Sequence, residues 1–471
     1  MVIISKILIR IPLFSIWCFP LATVNAQEGE TGMKLVNQMP DYGLPDQKRV
    51  DEFLLDFKKP TGHISREQRA GKLDDRIRNA RLTLADKIEA FKRVAPRADA
   101  TSQRKELRME RLLISVAPED LPLFKFVLEY DGDYKDMVEY VFSDIDDKEC
   151  QGRILNYLRT VKQQAGIKVL TDVDDTMYAN LIDDRYPGET RYPGVLEFYD
   201  SLKQEPFDLQ VIPVTTLSAR PNPIAGIMEE DSLKKLGNFS DSTGRRLCPS
   251  ALSGDLGSSV IGTVETLLRE KLHPLHDKIP HGQENKIGEV KFMNFEKFSK
   301  VYPEYRYVFA GDSGQADALT AQKMITSEPA GEAARVITTF IHDLRESDAD
   351  VKSVSPAFRS LKPDIVIRKT SPQGRGVIVF RNYIDAAVTA CLHSATLENL
   401  ITAEELAEIT WAALRQFQII DFKGKEASKM RLRAQYREDA EESLKLLTKK
   451  PSVPQEVLRK IRSILDEKFQ Q

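Results

Sequence analysis

The residues best equipped for chemistry stand in two acidic clusters far apart in the chain. The first is Asp172-Val173-Asp174-Asp175-Thr176, which follows the apolar, β-branched run Ile167-Lys168-Val169-Leu170-Thr171. The second is Gly311-Asp312-Ser313-Gly314-Gln315-Ala316-Asp317, which follows Tyr307-Val308-Phe309-Ala310. Each reads as a buried strand that delivers carboxylates to its carboxyl end. Either alone could be an acidic turn, since Asp and Thr favour turns and helix N-caps. Together they suggest more, because ligands of an open parallel sheet bind outside the carboxyl ends of its strands. Two such strands side by side bring Asp172, Asp174 and Asp312 together.

Clustered like charges need a cation, and a few hard carboxylate ligands with room for water and phosphate suit Mg2+. A neighbouring negative charge and partial burial let Asp174 keep its proton, as a general acid must. Nucleophile, acid and metal are then all supplied at one crevice.

The two motifs, in this order, resemble motifs one and four of the haloacid dehalogenase superfamily of phosphatases. The second Asp at Asp175 and the Gly-Asp-Ser-Gly-Gln wording resemble its lipin-related branch, that of the actin-patch phosphatidate phosphatases. Tyr192-Pro193-Gly194-Val195 resembles the segment that opens the first helix of that branch. The resemblance implies a hydroxyl for motif two, assigned to Ser218 of Ser218-Ala219-Arg220, with Thr215 and Thr216 as competitors. It implies a lysine for motif three, assigned to Lys291, with Lys286 as competitor. The interval from Lys291 to Asp312 fits one helix of roughly ten to twelve residues, a Tyr302-Pro303-Glu304 stop and a strand.

What the resemblance implies for mechanism follows directly. Asp172 attacks phosphorus and forms an aspartyl-phosphate, while Asp174 protonates the leaving oxygen and then activates water. Mg2+ is held by Asp172, the backbone carbonyl of Asp174, and Asp312. Ser218 and Lys291 bind phosphoryl oxygens, and Thr176 and Asp317 support the site. Asp175 is expected to face the N-terminus of a following helix rather than the metal. The expected activity is that of a phosphoric monoester hydrolase. Its substrate is a phosphorylated compound, with phosphatidate and a membrane surface the first candidates. A non-lipid phosphatase or phosphotransferase and a non-catalytic secreted binding protein are the rival readings.

The elements that position these residues are an α/β, Rossmann-like parallel sheet with helical extensions at both ends. Residues 1–26 have Lys6 and Arg10, an apolar run from Ile11 to Val24, and Ala26 before Gln27. That is the pattern of a secretory signal peptide, too short and too proline-interrupted to span a bilayer, so export is expected. A flexible lead-in is expected over 27–48, a helical domain over 49–164, the catalytic domain over 165–395 and a helical region over 396–471. Within 49–164, one long helical segment is expected to start at the Ser65-Arg66-Glu67-Gln68 capping box and to carry Ile77, Leu84, Ile88 and Phe91 on one face. The runs at 364–367 and 376–380 are expected either to extend the sheet or to form an edge hairpin.

The net charge of −3 gives no reason to expect nucleic acid as a partner. Past the leader, Cys150, Cys248 and Cys391 are too widely spaced for a disulfide framework or a zinc site. One bridge with a spare thiol, or three reduced thiols, both fit. His273, His276 and His281 lack cysteine partners and are assigned no metal. The basic run Lys423, Lys425, Lys429, Arg431, Arg433 and Arg437 reads as a solvated helix face that could attract anionic lipid.

Overall fold

The computed structural model describes residues 42–59, 64–95, 102–130, 136–161, 166–180, 182–203, 211–221, 236–254, 281–327, 335–345, 354–367, 369, 374–393 and 400–469. The expected leader 1–26, its cleavage site and most of the lead-in lie outside the described residues, as do His273 and His276.

Seven strands build one sheet: β1 (Gly166–Thr171), β2 (Val211–Pro221), β3 (Arg246–Gly254), β4 (Tyr305–Asp312), β5 (Val336–His342), β6 (Val366–Ile367) and β7 (Val377–Phe380). They are parallel throughout, in the order β3-β2-β1-β4-β5-β7-β6. The fold is thus α/β and Rossmann-like, as expected. The chain winds from β1 outward through β2 and β3, then returns to start again at β4 on the other side of β1. That reversal leaves a crevice at the carboxyl ends of β1 and β4.

A parallel sheet is apolar on both faces and needs a layer of helix on each. In β1, Ile167 and Val169 pack into one core and Leu170 into the other, as alternation along a strand requires. The Leu170 face is covered by α1 (Gln47–Phe57), α2 (Arg66–Ala80), α3 (Leu84–Val94), α4 (Gln103–Ile114), α5 (Leu121–Tyr130), α6 (Met137–Phe142) and α7 (Lys148–Leu158). The short α11 (Pro356–Arg359) also lies on the Leu170 face, and the opposite face is covered by α8 (Val195–Leu202) and, later in the chain, by α12 (Tyr383–Leu392), α13 (Ala403–Gln418), α14 (Glu426–Leu447) and α15 (Gln455–Lys468). Residues 49–164 and 396–471, expected as separate regions, therefore share cores with the sheet, and Met39–Gln471 is one compact unit. The physical reason is that the crossover helices alone leave much of both faces bare.

One local expectation is corrected. The helical segment from Arg66 to Val94 is broken at Arg81, whose φ of 48° is left-handed. A second capping box, Thr83 with Asp86, starts α3, and Asp86 also takes the Asp46 N–H at 2.8 Å and Arg49 Nη1 at 2.8 Å. For β6 and β7 the structure takes the first of the two expected forms, an extension of the sheet. They run parallel, with Val366 opposite Val377, so they are not a hairpin but the edge of the same sheet. Gly376 permits this, since a Cβ there would lie 2.3 Å from the Ile365 carbonyl oxygen.

Cys150, Cys248 and Cys391 are buried free thiols. Among the described residues no helix is long and apolar enough to cross a membrane.

Candidate functional site

Strands β1 and β4 pair with Leu170 opposite Phe309 and Thr171 opposite Ala310, and the Asp172 N–H continues the ladder to the Ala310 carbonyl at 2.8 Å. Asp172 and Asp312 thus leave the sheet beside one another. After β4 the chain turns through 313–316 into α10 (Asp317–Thr326), and Asp317 folds back on the strand end. Only glycine fits beneath it, because a Cβ on Gly311 would lie 2.5 Å from Asp317 Cβ. Asp317 Oδ2 accepts the Asp312 N–H at 3.2 Å, and the Gly314 and Gln315 N–H groups donate to Asp312 Oδ1 at 2.6 and 3.0 Å.

Lys291 comes from α9 (His281–Val301), which lies on the Leu170 face of the sheet. Asp172 shares the parity of Leu170, so it meets Lys291 there. Lys291 Nζ is 2.8 Å from Asp172 Oδ1 and 2.6 Å from Asp317 Oδ1. Lys286 is exposed. The helix has 21 residues, with Lys291 in its middle, rather than the shorter helix expected to start at this lysine. Gly288 does not break it but admits α10 closely, since a Cβ there would lie 2.9 Å from Leu319 Cδ2.

One ammonium group faces three buried carboxylates. Burial, opposed by Lys291 and reinforced by Asp317 and Asp174, pushes the Asp172 carboxyl up to about 7. Burial likewise drives Asp312 well above the carboxylate range, with Asp317 and Asp172 adding to it. Lys291, which burial alone would drive down, is held above the ordinary lysine range by Asp172 and Asp317. Oxygens of Asp172, Asp312 and Asp317 lie within 4.8 Å of one another. Asp172 Oδ2 and Asp312 Oδ2 are buried without a hydrogen-bond partner. Orphaned carboxyl oxygens are costly, and a pair of them on neighbouring strand ends fits a small hard cation such as Mg2+. Both oxygens of Asp317 are already engaged, so its part is to hold Lys291 and the β4 end.

Asp174 stands outside this trio. Its Oδ1 accepts from Asn180 Nδ2 at 2.7 Å. Asn180 is exposed, on a flap that runs from Met177 to Arg191 and folds on itself through Ala179 N–H to Thr190 O at 2.9 Å and Tyr192 N–H to Met177 O at 3.0 Å. Asp175 organises that flap. With φ at 56° and its carboxylate buried, it accepts the N–H groups of Asn180, Ile182 and Asp183 at 3.0, 2.7 and 3.1 Å. The expected helix N-terminus beside Asp175 is absent, and loop amides take its place. Thr176 is buried, its carbonyl accepts from Tyr383 OH at 2.6 Å, and its Oγ1 has no hydrogen-bond partner.

His342, the last residue of β5, places Nδ1 at 3.0 Å from the Asp175 carbonyl. Burial, with the Arg185 guanidinium beside it, pushes the imidazole down to about 4, so it is neutral, and its Nε2 lies 3.2 Å from the Arg381 carbonyl. Asn180, Asp175 and His342 were not read as site-building from sequence. The polar His342-Asp343 pair that ends an apolar strand was the available signal.

Ser218 lies in β2, and its side chain is outside the described residues. Thr171 pairs with both Thr216 and Ala310, and the register of β2 becomes irregular between Leu217 and Pro221, the stretch that holds Ser218. The competing hydroxyls are engaged elsewhere: Thr215 Oγ1 with Tyr130 OH at 3.0 Å, and Thr216 Oγ1 with the Ser250 carbonyl at 3.1 Å.

No family model, curated protein or solved structure matches the chain, so its likeness to the haloacid dehalogenase superfamily rests on the motifs themselves.

Proposed function

We propose that the chain is a Mg2+-dependent phosphomonoester hydrolase that works through an aspartyl-phosphate, with phosphatidate as the first substrate to try. The observation that carries this reading is the pair of orphaned oxygens, Asp172 Oδ2 and Asp312 Oδ2, beside a Lys291 that holds the other oxygen of Asp172. A carboxylate fixed at one oxygen and free at the other is aimed for attack.

In this reading Asp172 forms a bond to phosphorus as the bond to the leaving oxygen breaks, and Asp174 supplies the proton that oxygen needs. Asp174 then takes a proton from the water that cleaves the acyl phosphate, which releases inorganic phosphate and restores Asp172. Asn180 orients Asp174 for both steps. Lys291 offsets charge on the phosphoryl oxygens, and Ser218 donates to one of them. Thr176 and Asp317 hold the turn and the lysine. Asp172 and Asp312, with the Asp174 carbonyl, would hold Mg2+, which would supply the charge that lets an anionic nucleophile approach an anionic phosphate.

The test is phosphate release with Mg2+ from phosphatidate and from water-soluble phosphomonoesters, beside Asp172→Asn and EDTA controls. Release that both controls abolish supports the reading, and the preferred substrate separates lipid from soluble. A folded, Mg2+-binding protein that releases no phosphate from any of them is instead a binding protein.

A further inference from the structure

Residues 419–437 hold six basic side chains, Lys423, Lys425, Lys429, Arg431, Arg433 and Arg437, against two acidic ones, Asp421 and Glu426, in a chain of net charge −3. They span the corner where α13 (Ala403–Gln418) gives way to α14 (Glu426–Leu447), the tyrosine-bearing helix of that outer layer. The second half of α14 reverses the sign with Glu438, Asp439, Glu441 and Glu442, so the positive charge is confined to the corner. Among the described residues Lys423, Lys425, Lys429 and Arg433 form no ion pair, while Arg437 pairs with Glu441 along the helix.

Apolar side chains are also turned outward there. Ile419 is 83% exposed and Met430 71% exposed, while Leu432, Tyr436 and Ala440 take the buried face of α14. Exposed apolar tips among basic side chains suit a fluid, negatively charged surface better than a shaped protein one.

The corner is built onto the flap of the candidate site. Lys425 Nζ donates to the Asp184 carbonyl, and the Phe422 and Tyr186 rings lie 5.9 Å apart. Tyr186 OH and Tyr436 OH are hydrogen-bonded at 3.2 Å. Asp183, the residue before Asp184, gives its N–H to Asp175.

We propose that this corner docks on the anionic face of a lipid bilayer and so sets the flap and the site against phosphate carried in the membrane. The purpose of docking rests on the phosphatase reading; the docking itself does not. Lys423 and Lys429 supply attraction and Ile419 and Met430 enter the headgroup layer, while Asp184, Asp421 and Glu426 weaken the attraction.

The test is flotation of the full chain with vesicles of phosphatidylcholine alone or with phosphatidylserine, neither of which carries a phosphomonoester. Binding is expected only with phosphatidylserine, falling as salt rises. Lys423→Gln with Lys429→Gln is expected to weaken it roughly thirtyfold. Ile419→Ser with Met430→Ser is expected to weaken it to a similar extent. Phosphate release from a soluble phosphomonoester, where present, stays unchanged in both variants. Vesicle binding by a chain that releases no phosphate from any substrate keeps the docking and sinks the phosphatase reading. Equal binding to both vesicles, binding that neither variant changes, or no vesicle binding overturns the docking, and the last outcome would turn attention to an acidic protein partner.

Discussion

Asn180 Nδ2 lies 2.7 Å from Asp174 Oδ1, so the exposed end of the flap holds the carboxyl group cast as proton donor. Removing that amide leaves the core untouched. Asn180→Ala is expected to lower kcat by about tenfold, a fraction of the full general-acid effect, with KM and melting temperature nearly unchanged. Steady-state kinetics beside a thermal melt check it, and an unchanged kcat would remove Asn180 from the mechanism.

Asp175 acts on the same flap from below. Its buried carboxylate serves three backbone N–H groups, and each buried donor left unsatisfied costs about 1–3 kcal/mol. Asp175→Ala is expected to lower the melting temperature markedly and to loosen the flap, read as faster hydrogen exchange over 177–191. Asp175→Asn tolerates the left-handed backbone at φ 56° and keeps one acceptor, so its loss should be the smaller. Equal stability of the alanine variant and the parent protein would contradict this account.

Lys291 and Lys286 are separated by a single comparison. Lys291→Met leaves buried Asp172 and Asp317 without their cation, and breaking a buried pair costs about 3–5 kcal/mol. The variant should melt lower, and its phosphate release should fall by about a hundredfold or more. Lys286→Met, on the exposed side of the same helix, should change neither property. The opposite ranking would reassign the motif-three lysine.

Asp172 also sets a pH dependence. Its folded value of about 7 lies above the ordinary carboxyl value of 3.8, so the metal-free fold favours the protonated group. That contribution is fully present below about pH 4 and is lost as pH rises through about 7. The metal-free protein should therefore lose stability across this window, and Asp172→Asn should flatten the loss. A cation must displace the protons of Asp172 and Asp312, both raised by burial, so Mg2+ affinity should climb with pH through about 7. Melting temperatures with and without Mg2+ on both sides of the window measure this. A Mg2+ effect equal at both ends would place the ion elsewhere.

The sequence by itself determined the features that rest on local pattern. Apolar runs that end in carboxylates specified β1, β4 and their carboxylate-bearing ends, because a strand buried on both faces must be apolar and its carboxyl end faces a crevice. The Ser65 capping box marked a helix start in the same local way.

Only the tertiary structure decided what depends on register and rotation between elements distant in sequence. Lys291 prevails over Lys286 because α9 turns it toward the strand face on which Asp172 emerges. Thr215 and Thr216 are engaged by Tyr130 and Ser250, partners from other elements. Asp175 is bound by a loop rather than a helix because Asn180, Ile182 and Asp183 fold back over it. The helices at the two ends of the chain become the outer layers of the sheet because two apolar faces must be covered, a demand that no single segment carries in its own sequence.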